Sequence, residues 1–219
     1  MTQSSACRRG GDFAASGEIK FRRWMWPVLL LLVVSGNAPA QESGQSQKQQ
    51  YRAAPADAQV TRTERTYFAP DVVLIDMDGK TVALRPLTEA NQPVMLDFIY
   101  TSCTAICPLL TETFAQVQRE LGADAAKLRM VSISIDPEYD TPRVLRAYAQ
   151  TYHAGPHWRF LTGNPKDIVE VRRAFDAYRA NKMDHAAIVL LRASPGQPWI
   201  RFDGLVSPSA LVREYRAMP

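Results

Sequence analysis

The chain lacks a long apolar run, a lasting charge excess and almost all cysteine. Its most hydrophobic stretch, residues 24–34, is eleven residues of Trp, Met, Pro, Val and Leu, about half of what a membrane span requires. A basic lead of Arg8, Arg9, Lys20, Arg22 and Arg23 precedes it, and Ala38-Pro39-Ala40 follows. That order predicts a signal peptide over residues 1–40, cleaved after Ala40, or an uncleaved anchor on the periplasmic face of the inner membrane. The charge excess leaves with the leader. Removing its five basic and two acidic residues from 26 and 22 leaves 21 against 20. The pI near 9.0 therefore points to no nucleic acid partner.

Cysteine is scarcer still. Of three in the chain, Cys7 goes with the leader. Cys103 and Cys107 then face an oxidising compartment, where they can pair with each other, bind a metal, or exchange with a partner. Two motifs are also missing. There is no C-x-x-C, which argues against a general thiol–disulfide oxidoreductase. The P-x-x-x-T-x-x-C of a peroxidase fails as well, because Thr104 stands three before Cys107 but position 100 is Tyr. No internal repeat is visible.

What is present centres on the stretch from Val94 to Leu121. An apolar strand over 93–99 leads through Thr101-Ser102 to Cys103, Cys107 and Pro108. Leu110, Phe114, Val117 and Leu121 then recur on one helical face. A strand that delivers two thiols to a helix N-terminus places them where unpaired N–H groups and the helix dipole favour thiolate. A disulfide between Cys103 and Cys107 fits helical spacing, yet closes too small a loop to add much stability. The bland reading is that disulfide or a buried pair; the sharper one is a working site.

Residues 41–66, rich in Gln, Ser, Ala and Arg, read as a flexible linker, with the folded domain at 67–219. Strands over 72–76 and 81–84 flank Asp78-Gly79, the signature of a hairpin turn. A strand over 128–135 ends in Asp136-Pro137-Glu138-Tyr139-Asp140. Thr141-Pro142, Asn164-Pro165 and Ser207-Pro208 each set a capping residue before a proline, opening three helices. Strands over 187–192 and 199–203 lie between the last two. The order predicts an α/β fold with a central mixed sheet flanked by helices.

Histidine is also limited to three. His153 and His157 flank Gly155-Pro156 and read as loop residues. His185 directly precedes the strand at 187–192, and a surface histidine at a strand entrance is its bland reading. In a thioredoxin-like sheet that entrance lies against the cysteine turn, which offers a third ligand. Two thiolates and an imidazole suit Cu(I) and accept Cu(II); zinc would take the same donors with a water. Asp136 and Asp184 either orient the imidazole or cap local backbone.

The chain resembles the Sco/SenC family of copper-binding, thioredoxin-like proteins that assist cytochrome c oxidase assembly. The likeness runs over residues 67–215. Its motifs are Asp78-Gly79, Phe98-Ile99-Tyr100-Thr101-Ser102-Cys103 and the C-x-x-x-C-P turn. The block from Ile133 to Pro142, Trp158 with Leu161-Thr162-Gly163, and Asp184-His185 complete them. Thr104 stands where many members carry proline, and Ala186 where serine is usual; neither change removes a ligand. The resemblance implies copper held by Cys103, Cys107 and His185. It also implies copper-donor proteins and cytochrome c oxidase subunit II as partners, and a carrier rather than an enzyme. Targeted thiol reduction or redox sensing of client cysteines is the second class it allows.

Overall fold

The computed structural model describes residues 60–219; the expected leader, with its Cys7, and residues 41–59 lie outside them. In chain order the elements are β1 (Thr61–Arg65), β2 (Val73–Asp76), β3 (Thr81–Ala83), α1 (Leu84–Thr88) and β4 (Val94–Ile99). After α2 (Ile106–Leu121) come β5 (Arg129–Ser134), α3 (Pro142–Thr151), β6 (Trp158–Thr162) and α4 (Pro165–Ala174). The last three are β7 (Ile188–Arg192), β8 (Trp199–Asp203) and α5 (Pro208–Arg216). All eight strands join one sheet in the order β1-β8-β7-β4-β5-β6-β2-β3. β4, β5 and β6 run parallel, while β7 is antiparallel to both β4 and β8. The sheet is therefore mixed, as the element order predicts.

β4 is buried along its whole length, because strands pair with it on both edges and helices cover its faces. That explains its unbroken apolar run, with Asp97 as the one exception. β5 buries two serines for a reason. Ser132 Oγ accepts the Trp158 indole N–H at 2.9 Å, and Ser134 Oγ donates to Asp140 at 2.6 Å. The helix signals hold as read. Thr141, Asn164 and Ser207 side chains accept from the N–H groups of Val144, Lys166 and Ala210, each with proline in the first turn. At the β2–β3 turn, Asp76 Oδ1 accepts from the Asp78 and Lys80 amides. Gly79 there takes a φ of 78°, open to glycine at little cost.

Two boundaries differ from expectation. Residues 61–65, expected in the linker, form β1 and pair with β8 in register from Thr61–Asp203 to Arg65–Trp199. Thr-Arg-Thr-Glu-Arg has no apolar alternation to announce a strand. What fixes it is the free edge of β8 and the two-pronged grip of Arg62 on Glu214 of α5, at 3.0 and 2.8 Å. The hairpin consequently does not begin the fold. Leu84, expected in β3, instead opens the short α1. The start of α2 at Ile106 agrees with the proline signal, with Cys103 in the loop before it, Cys107 its second residue and Pro108 its third.

Candidate metal centre

The loop between β4 and α2 is shaped by three ties. The Cys103 amide donates to the Tyr100 carbonyl at 3.1 Å. The Tyr100 amide points at Cys107 Sγ, 3.5 Å away. Asp140 secures the entrance: its carboxylate accepts from the Thr101 amide at 3.1 Å, the Thr101 hydroxyl at 2.5 Å and the Ser134 hydroxyl. One buried carboxylate thus joins the cysteine loop to the end of β5. It was visible in the sequence only as one member of a motif block, with nothing to single it out.

Both thiols are free, and they are not equivalent. Cys103 lines a cavity of about 250 Å³ with Tyr100, Ser102, Lys182, Met183 and His185. Burial works against its thiolate. The backbone N–H groups of Cys107 and Ala105 outweigh it, helped by the Cys107 thiol and the Tyr100 hydroxyl, and bring the group down to about 7. Cys107 lies beneath, with no exposed surface. Burial pushes its thiol far above the ordinary range, and the Cys103 thiolate adds to the shift. The helix-terminus effect expected for both cysteines therefore falls on one. With iodoacetamide and reduced protein, Cys103 is expected to alkylate with a midpoint at about pH 7 while Cys107 stays unlabelled at neutral pH. Equal labelling of the two would contradict this asymmetry.

His185 is buried at the end of a 3-10 turn (Lys182–Asp184), which is capped by the Asn181 side chain. Its Nε2 lies 2.8 Å from the Phe98 carbonyl. A carbonyl only accepts, so Nε2 carries the proton. Burial holds the imidazole's pKa below its ordinary value, so the ring is neutral and Nδ1 is bare. That nitrogen is buried without a hydrogen-bond partner. Metal-bound histidines are commonly fixed in this way, with the non-ligating N–H tied to a carbonyl or carboxylate.

The two expected acids do something else. Asp136 pairs with Lys182 at 2.6 Å, and Asp184 is exposed. Neither orients the imidazole, because the Phe98 carbonyl, 87 residues away in sequence, already occupies that role. His153 and His157 stay in the loop before β6, as read. Among the described residues, no three Cys, His, Asp or Glu side chains are already drawn together as a metal cage. The donor set nonetheless suits a soft ion: Cys103 and His185 line one cavity, the imidazole keeps a bare Nδ1, and the Cys107 sulfur lies against Cys103.

Two further residues carry the site's electrostatics. The Tyr100 ring packs edge-on to His185 at 6.2 Å. Burial and the Cys103 thiolate push its hydroxyl up to about 12, so it remains a donor. Asp97 is wholly buried, and Ser132 and its own amide give its carboxylate only partial support. Burial raises it to about 7, and it lies close enough to Cys107 to help push that thiol up. A carboxylate in an apolar strand was the available signal for it.

Known proteins share this fold. The structure of Bradyrhizobium japonicum ScoI with copper bound matches with a TM-score of 0.59 at 27% identity, over 69% of this chain and 99% of that one. BsSco, described as a member of the Sco family of cytochrome c oxidase assembly proteins, matches with a TM-score of 0.61 at 26% identity, over 72% and 96%. By sequence, the SCO1 protein homolog of Bacillus subtilis is 36% identical over 96 residues, which is 43% of this chain and 49% of that relative. The chain thus spans about half of that relative's length. The SCO1/SenC family profile matches residues 60–218, and the chain belongs to the SCO1/SenC family.

Proposed function

We propose that this chain is a copper carrier in cytochrome c oxidase assembly. It holds copper through Cys103, Cys107 and His185 and passes it to the dinuclear copper site of subunit II, after loading from a copper-donor protein. The observation that carries this reading is the state of His185, a neutral ring whose Nε2–H is tied to Phe98 and whose bare Nδ1 is buried without a partner. An imidazole needed only for packing gains nothing from an orphaned nitrogen, which costs about 1–3 kcal/mol. The copper in the Bradyrhizobium protein and the oxidase assembly named for BsSco agree with it. The chain works on the outer face of the membrane, exported or anchored. No helix among the described residues is long and apolar enough to cross one.

Transfer is ligand exchange. Cys103, ionised near neutral pH, takes the ion first; Cys107 must lose its proton to solvent before its sulfur can bind. A client's thiolates would then replace these ligands one at a time. The same asymmetry supports a second reading, targeted thiol–disulfide exchange, in which Cys103 attacks a client disulfide and Cys107 resolves the mixed disulfide. His185 separates the two. Reduced protein titrated anaerobically with Cu(I) against a chromophoric chelator is expected to bind one equivalent. His185→Ala should weaken binding by roughly 10–100-fold, as loss of a ligand or of its support does. Oxidation of the cysteine pair should abolish it. Wild-type affinity in the His185 variant would sink the three-ligand site and leave the exchange reading.

A further inference from the structure

Resting on the copper reading above, we propose that the Met183 thioether is a Cu(I) ligand at the mouth of the site, where it takes the ion together with Cys103 before Cys107 binds. Met183 is 71% exposed, whereas Met95 and Met130 are buried and Met77 and Met218 are partly covered. Single exposed apolar side chains are ordinary, and Phe68, Val73 and Leu109 are exposed as well. What sets Met183 apart is its position. Met183 lines the same cavity as Cys103 and His185, and Cys107 does not.

The Tyr100 hydroxyl links the two accessible sulfurs. It lies 3.6 Å from Met183 Sδ and also faces the Cys103 thiolate. A phenol has one proton, so it serves one sulfur at a time and leaves the other's lone pairs open. Lys182, beside them, is no obstacle to a cation, because Asp136 neutralises it. A thiolate and a thioether are both soft donors, which favour Cu(I) over zinc, and a thioether binds at any pH. Capture by Cys103 and Met183, which line the same cavity, displaces solvent from it. Cys107 then surrenders its proton to water as it binds, His185 Nδ1 completes the set, and Met183 lets go. Delivery runs in reverse, so the ion leaves from one thiolate and one weak, neutral thioether.

The test uses the full reduced chain, with Cu(I) and Zn(II) as probes and methionine labelled with ¹³C at the methyl group. In Cys107→Ala, Cu(I) should still bind, and the Met183 methyl resonance should shift on its addition. Adding Met183→Leu, which preserves volume, should lower Cu(I) affinity roughly tenfold or more and leave Zn(II) affinity unchanged. An unmoved methyl signal with equal Cu(I) affinity in the presence and absence of Met183 overturns the inference. Failure of the wild-type chain to bind Cu(I) would overturn the copper reading itself, and this inference with it.

Discussion

Asp97→Asn is expected to stabilise the chain by on the order of 4 kcal/mol at about pH 8 and to change little at about pH 4. Asp97 sits in β4 with no exposed surface, supported only in part by Ser132 and its own amide. Burial raises its carboxyl to about 7, well above the value of a carboxyl in the unfolded chain. At low pH both states are protonated and the group costs nothing electrostatically. As pH rises through about 4, the unfolded chain releases its proton while the folded one keeps it, so stability falls. The loss is complete once pH passes the folded value of about 7. An amide cannot ionise and removes this slope. Cys103 also titrates near 7, but in the opposite sense: its thiolate is favoured by folding, so its contribution is present at high pH and is lost as pH falls through about 7. Subtracting denaturant unfolding curves of wild type from those of the variant across pH isolates Asp97. Parallel pH profiles would show that Asp97 is hydrated or partnered and would remove it from the electrostatics of Cys107.

Asp140→Ala is expected to cost about 3–5 kcal/mol and to raise the alkylation midpoint of Cys103. The carboxylate accepts from the Thr101 amide, the Thr101 hydroxyl and the Ser134 hydroxyl. Its loss leaves the buried Ser134 hydroxyl and the half-buried Thr101 donors without their acceptor. Hydrogen bonds to a charged acceptor are the stronger kind, about 1.5–3 kcal/mol each, and orphaned partners add their own penalty. Thr101 also anchors the loop that aims Cys103 at the amides of Ala105 and Cys107. A loosened loop supplies those N–H groups less well, and the thiolate loses its support. Asp140→Asn keeps the shape and one acceptor oxygen, so it should fall between. An unchanged Cys103 midpoint in a folded, destabilised Asp140→Ala protein would confine Asp140 to stability.

The sequence alone determined whatever is written in neighbouring residues. Proline after a capping residue set the starts of α3, α4 and α5. A 3.6-residue period set the buried face of α2, and Asp78-Gly79 set the hairpin turn. Cys103, Cys107 and His185 were likewise legible, because C-x-x-x-C-P and Asp-His each lie within a few positions. Only the tertiary structure decided how those residues are set. β1 has no apolar pattern of its own and exists because β8 offers an open edge and Glu214 holds Arg62. The tautomer of His185 depends on a carbonyl 87 residues away, and the tie on Thr101 depends on a carboxylate 39 residues away. The two cysteines differ because one meets amides at a cavity wall and the other is sealed beside a buried carboxyl. A pKa, a tautomer and an edge pairing are sums over atoms brought close in space. Residue spacing along the chain carries no record of those sums, so motif and period could name the candidate donors but not their protonation or orientation.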